Sequence, residues 1–354
     1  YLEKLAKLTG NTKVLIGFCE FNRFYIGKRY FNSVAVLQNK KIEKIIRKTL
    51  LPVYSEFNDA RYFQSAEFNP TDRIIQIGSN KAAIVICEEN WADKDFFETP
   101  VYSFDPVDEI VKTQHPDIII NCSSSPTRAK KEQLLNNMLS KKHKPPIVYV
   151  NQVGAVDNIT FLGSSRCYDE KGKIIARAKS FEEQFLIVNT EKNIGKIYPL
   201  TKGLDKSLTE QKVFTLEYES DLERTYKTLI QGIRDYFKKC GFKRAVLGLS
   251  GGLDSTVCAV LMADAIGREN VFGVSMPSHI TSQESKSDAE KLAHNLGINF
   301  TEATIRPMID TTTECLNELF ETVGRKWNGR FETSFTPDNI QARSRAMFLW
   351  GISN

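Results

Sequence analysis

Histidine is scarce in this sequence: there are four in 354 residues, none beside a cluster of cysteines or aspartates. That scatter gives no zinc-ligand pattern. No apolar run approaches the roughly 18 residues of a membrane span, and no signal peptide is visible. No basic stripe stands out in a chain of net charge +5. The Lys130-Lys131 pair and the run from Lys141 to Lys144 read as a solvated helix face and a loop, so nucleic acid is not an expected partner. Seven scattered cysteines are odd in number and do not make a disulfide framework, which points to a reducing cytoplasm. The phosphate-loop pattern G-x-x-x-x-G-K-[ST] is missing, and so is G-x-G-x-x-G. The chain also lacks an initiating Met: it opens at Tyr1 and stops at Asn354 inside a helical pattern, as a fragment would.

What is present suits a globular protein of two domains, with 41% hydrophobic and 26% charged residues. Residues 1–190 alternate short β-branched strands with loops and a few helices. "TKVLIGFCEF", "SVAVLQ", "KAAIVICEE", "DIIINCSSS", "IVYVNQVG" and "FLIVNT" read as strands, several of them apolar enough to be buried on both faces. "KEQLLNNMLSKK" has helical spacing. Residues 191–218 are polar and irregular and read as an interdomain connection. Residues 219–354 alternate strands with helices, the mark of a doubly wound parallel sheet. There a helix opens with a Thr281-to-Glu284 capping box.

In such a sheet ligands sit at the carboxyl ends of the strands, and "LGLSGGLDS", residues 247–255, lies at one. Ser250, Gly251 and Gly252 make the strand-to-helix turn, where glycines permit positive φ and close backbone approach. Backbone amides and a helix N-terminus there favour an anion, and Ser250 and Ser255 add hydroxyl donors. Asp254 occupies the place where a lysine would be expected, which implies a bridging Mg²⁺ between carboxylate and phosphates. The alternative is an ordinary turn with Asp254 as a capping residue.

The stretch SGGLDS resembles the phosphate loop of ATP pyrophosphatases. "VSMPSHITSQESKSDAEKLAHNLGI" and "PDNIQARSRAMFLWGISN" are similar to the NAD synthetase family. That resemblance implies a Rossmann-like domain, ATP held by Ser250, Gly251, Gly252, Asp254 and Ser255, and deamido-NAD bound with help from Asn339 and Arg343. Those two are four residues apart and so share a helix face; Arg343 as a plain surface ion-pair residue is the other reading.

The first half points the same way. "IVICEENW", residues 84–91, puts Cys87 at the end of a buried strand, opening a helix-like segment. A helix N-terminus there lowers a thiol's pKa, and the next amide could serve an oxyanion. A buried structural thiol is the alternative. "RKTLLPVYSEFNDARYF" and "ICEENW" resemble the lysine and cysteine segments of the nitrilase superfamily, and "NCSSSPTRAKKE" and "YVNQVGAVD" resemble the glutaminase branch attached to NAD synthetases. This resemblance implies an α-β-β-α sandwich in which Cys87 attacks glutamine and Lys48 stabilises the oxyanion. It further implies that Tyr54, Ser125 and Lys131 hold the substrate, with Asp59 as a second acid, and that the family's members are homo-oligomers. The family's general-base glutamate is expected ahead of Tyr1, with Glu20 a poor substitute, and the synthetase fold is expected to continue past Asn354. Another amidotransferase with this phosphate loop, or an inactive paralogue, is the remaining alternative.

Overall fold

The computed structural model describes residues 1–24, 26–92, 99–128, 130–142, 145–199, 219–278, 283–322 and 336–354. It divides into two compact units. One comprises Tyr1–Gly154 and Ile159–Leu222, the other Ala155–Asn158 and Glu223–Asn354.

The first unit opens with a short helix α1 (Leu2–Ala6) and an antiparallel sheet of β1 (Val14–Phe21), β2 (Tyr30–Gln38) and β3 (Lys41–Arg47). After α2 (Asp59–Tyr62) come β4 (Ile74–Ile77), β5 (Asn80–Ile86), α3 (Pro106–Gln114), β6 (Ile118–Ser123), α4 (Lys131–Lys142) and β7 (Ile147–Asn151). The hairpin β8 (Val153–Val156) and β9 (Ile159–Leu162) follows, then β10 (Arg166–Tyr168) and β11 (Ile174–Arg177). A second hairpin, β12 (Gln184–Asn189) and β13 (Ile194–Pro199), closes the unit. The second sheet runs β11-β10-β7-β6-β5-β4.

The period-2 alternation of strand side chains explains the layering. Val34, Val36 and Ile46 of the first sheet pack on Ala82, Ile84 and Ile86 of the second, forming a core between sheets. The intervening Ala83 and Val85 face the other way, onto Val107 and Ile110 of α3 and Leu135 and Leu139 of α4. On the far face of the first sheet, Ala35 and Leu37 pack on Ala6 of α1. The result is the expected α-β-β-α sandwich. β2 and β5 are buried on both faces, as their continuous apolar runs predict.

The second unit carries α5 (Asp221–Cys240), β14 (Ala245–Gly248), α6 (Leu253–Ile266), β15 (Val271–Ser275), α7 (Gln283–Leu296), β16 (Asn299–Glu302), α8 (Arg306–Thr322) and α9 (Thr336–Ser353). The three strands are parallel, in order β14-β15-β16. Helices α6 and α7 cover one face through Ala259, Ala289 and Ala293, and α8 and α9 cover the other through Ile309 and Leu349. This is the doubly wound arrangement read from the alternation.

Two expectations need correction. The stretch from residue 191 is not irregular throughout, because Ile194–Pro199 pairs along its length with Gln184–Asn189. A strand edge hides in a polar sequence when its partner supplies the hydrogen bonds. The rest of that connection, 200–218, lies outside the described residues, as does Thr281 of the capping box. Residue Cys87 begins a single four-residue 3-10 turn rather than a helix.

A largely buried charge cluster packs on α4. The Arg166 guanidinium, with no exposed surface, donates to both carboxylate oxygens of Glu132 at 2.8 and 2.6 Å, and Arg177 donates to the same carboxylate at 3.2 Å. The substitution Glu132→Gln strands two guanidiniums and should cost about 3–5 kcal/mol in urea unfolding. By contrast, Lys112→Ala, which removes the exposed Lys112–Asp108 pair, should leave the midpoint unchanged.

Candidate functional site

In the first unit a cleft of about 640 Å³ reaches the end of β5, with Cys87, Lys48, Asp59, Cys122 and Asn151 among its walls. The Cys87 thiol is nearly buried, at 8% exposure, yet faces this cleft. Its backbone has φ +43°, a left-handed value unusual for a residue with a side chain. Such strain costs on the order of 1–3 kcal/mol and persists where the surroundings enforce it, typically at functional sites. Here the strand ends at Ile86 and the turn Cys87–Asn90 begins at the next residue.

Lys48 follows β3 and is 3% exposed. Its ammonium donates to Asp59 at 2.8 Å. Burial pulls its pKa down, but the charges of Cys87, Asp59 and Glu88 outweigh that, and the group ends above the ordinary lysine value. Lys48 thus remains a cation in the same cleft as the Cys87 thiol.

Glu88, next to the nucleophile candidate, is buried and accepts hydrogen bonds from Tyr54 Oη at 2.8 Å and Tyr102 Oη at 2.7 Å. Burial raises its pKa against the pull of those two donors, and burial together with Glu88 pushes both phenols up. Tyr54 therefore reaches the site through Glu88. Tyr102 was not legible in the sequence: it is separated from the cysteine turn by residues without a motif.

Ser125 and Lys131 come together, Lys131 Nζ donating to Ser125 Oγ at 2.5 Å and to the Pro126 carbonyl, while lying 5.9 Å from the centre of the Trp91 ring. Burial lowers the Lys131 pKa to about 8, opposed by Cys87 and assisted by Arg128. Neither Ser125 nor Lys131 is among the residues lining the cleft wall. Cys122 also faces the cleft, and its thiol is pushed up to about 11 by burial. Glu20 does not line the cleft: it accepts two hydrogen bonds from Arg47 at 2.8 and 2.6 Å and one from Ser33 at 2.8 Å.

In the second unit, Gly251 has φ +74° and Gly252 caps α6. Ser250 Oγ accepts from the Gly252 amide at 3.2 Å, and Ser255 Oγ donates to the Gly252 carbonyl at 3.0 Å. Asp254 is exposed in the first turn of α6. It is not the cap, so the reading of it as a capping residue does not hold. Among the described residues no three acidic, cysteine or histidine side chains gather as a metal cluster. A lone carboxylate beside this glycine turn nevertheless suits Mg²⁺, which is commonly held by one or two carboxylates plus phosphate oxygens. Asn339 and Arg343 share a face of α9, and Arg343 Nη1 donates to Asn339 Oδ1 at 2.8 Å.

The family model described as carbon-nitrogen hydrolase matches residues 1–196, more than half of the chain. The chain belongs to the carbon-nitrogen hydrolase family. A second model, NAD synthase, matches residues 225–354. The glutamine-dependent NAD(+) synthetases of Synechocystis sp. and Thermotoga maritima are 34% and 33% identical over 92% and 100% of the chain. The chain spans 55% and 61% of their lengths. The solved glutamine-dependent NAD+ synthetase of Acinetobacter baumannii, in complex with ADP, superposes with a TM-score of 0.79 at 28% identity. It covers 99% of this chain and 60% of that one.

The lowered Lys131 pKa is a stability statement. The folded value of about 8 lies below the roughly 10.4 of a free lysine. Between the two the unfolded chain holds a proton that the folded chain has released, so this group makes stability rise with pH across that window. Relative to Lys131→Met, the wild type should gain about 3 kcal/mol between about pH 7 and pH 11, read by urea unfolding at both. A difference independent of pH would refute the shift.

Proposed function

We propose that this protein is a glutamine-hydrolysing NAD(+) synthase, a ligase that forms a carbon–nitrogen bond. The supporting observation is the pairing, in one chain, of a cleft-facing thiol beside a buried ammonium with a glycine-turn phosphate loop at a strand's carboxyl end. Relatives bearing that name align over nearly the whole chain.

In the first unit the Cys87 sulfur attacks the side-chain carbonyl carbon of glutamine. A C–S bond forms, the carbonyl π pair moves to oxygen, and the Lys48 ammonium and the Glu88 amide stabilise that oxyanion. Collapse breaks the C–N bond, and ammonia departs with the thiol's proton. Water then releases glutamate from the thioester. Tyr54 acts through Glu88, whose carboxylate suits the substrate ammonium, while Ser125 and Lys131 suit its carboxylate. Asp59 keeps Lys48 charged and oriented. Glu20 is committed to Arg47 and does not serve as the proton acceptor.

In the second unit the Ser250–Gly252 turn and Ser255 cradle ATP. The deamido-NAD carboxylate attacks the α-phosphorus, releasing pyrophosphate, and ammonia then displaces AMP to give the amide. Asn339 and Arg343 help to hold deamido-NAD. Asp254 would hold Mg²⁺, whose charge offsets that of the phosphates. Homo-oligomeric assembly belongs to the same reading and rests on the resemblance alone, and seven free thiols suit a reducing cytoplasm. No described helix is long and apolar enough to cross a membrane.

Cys87→Ala should abolish NAD formation from glutamine while leaving formation from added ammonia within about twofold, whereas Asp254→Ala should remove both by about 10²-fold or more. Retained glutamine use by Cys87→Ala would reject the nucleophile. The KM for glutamine should rise as pH climbs through about 8, where Lys131 loses its charge, and Lys131→Arg should flatten that rise.

A further inference from the structure

Cys87 and Lys48 come from separate sheets. Lys48 follows β3 and Cys87 follows β5, and no ladder of backbone hydrogen bonds joins those strands. Their spacing therefore depends on side chains. One carboxylate bridges them. Glu89 Oε1 accepts from the Thr49 amide at 2.8 Å and from Arg73 Nη2 at 2.9 Å. Glu89 Oε2 accepts from the Ile86 amide at 2.8 Å and from Arg73 Nη1 at 3.1 Å. Thr49 is the residue after Lys48, and Ile86 is the residue before Cys87.

Every member of this bridge is sealed from solvent. Glu89 has no exposed surface, Arg73 is 2% exposed and Thr49 9%. Arg73 is fixed in turn by donating to Thr49 Oγ1 at 2.7 Å and by lying 5.5 Å from the centre of the Phe68 ring. The fork-to-fork pair gives geometric specificity as well as energy. It also neutralises the Glu89 charge, so this carboxylate does not compete with Asp59 for the ammonium. Losing its acceptors would leave two buried amides without partners, one on each side of the reacting pair. One of these amides directly precedes the left-handed Cys87 backbone, a conformation that must be enforced from outside.

We infer that Glu89, oriented by Arg73, is a positioning residue that sets the separation of the Lys48 ammonium and the Cys87 thiol by tying the backbone beside each to a single carboxylate. This rests on the glutaminase reading of the cleft, and its test separates the two.

In the full-length protein Glu89→Gln keeps the shape but turns amide donors toward existing donors. The kcat for glutamine hydrolysis should fall by about 30–100-fold, the scale expected when reacting groups shift by about an ångström. The KM for glutamine should stay within about threefold, and ammonia-dependent synthesis should not change. Alkylation of Cys87 by iodoacetamide should slow by about tenfold as the cation moves away. In a Lys48→Ala background, adding Glu89→Gln should change alkylation by less than about twofold, because the group it positions is gone. A merely structural role would slow both backgrounds equally, and that result, or wild-type alkylation in Glu89→Gln, overturns the inference. If Glu89→Gln does not fold, Arg73→Lys, which keeps the charge but loses the fork, should give the same split at smaller amplitude. If the wild type releases no ammonia from glutamine, the glutaminase reading fails, and the alkylation comparison still decides the positioning role.

Discussion

The Lys48 ammonium imposes the main constraint on the first unit. A lysine 3% exposed carries a large desolvation penalty, and it stays charged only because negative groups surround it. Asp59 supplies a direct ion pair at 2.8 Å, and Glu88 supplies longer-range attraction. Each of these, like Cys87, needs a fixed backbone. Asp59 starts a short helix, Glu88 lies in the turn after β5, and Cys87 sits at the strained junction. The sandwich brings the ends of β3 and β5 together by packing apolar faces, but that packing is non-directional. The polar network sets the remaining distances.

The two units solve similar problems with different local devices. In the first, the positive φ falls on Cys87, a residue that is not glycine. In the second, glycine takes the positive φ at Gly251 and opens the turn toward solvent at no steric cost. The first arrangement presents a thiol in a cleft that also holds charged side chains. The second presents backbone amides and hydroxyls suited to phosphate oxygens.

Much of this was legible in the sequence for physical reasons. The continuous apolar runs of β2 and β5 reported two-faced burial, and the strand–helix alternation after residue 219 reported a parallel sheet. Cys87 and Ser250 to Ser255 stood out by their chemistry at strand ends, and Lys48 through the resemblance of its segment to the nitrilase superfamily. Short strands escaped notice. β10 has three residues and β11 four, too few for a period to register. β13 was read as connection because its sequence is polar and its pairing with β12 is a tertiary fact. Tyr102, Glu89 and Arg73 escaped as site residues because their roles arise from partners distant in sequence. Glu89, in particular, looks like any acid after a cysteine until both amides that it accepts from are placed.

The central claim is that Cys87, held beside a charged Lys48, forms a covalent bond to glutamine's side-chain carbonyl. The most direct measurement is acid quenching of the full-length protein during glutamine turnover, followed by peptide mass spectrometry. The account predicts a glutamyl group on the peptide that contains Cys87 and on no other cysteine peptide, lost on treatment with hydroxylamine. An unmodified Cys87 peptide while ammonia is being released, or a glutamyl group on Cys122 instead, would contradict it.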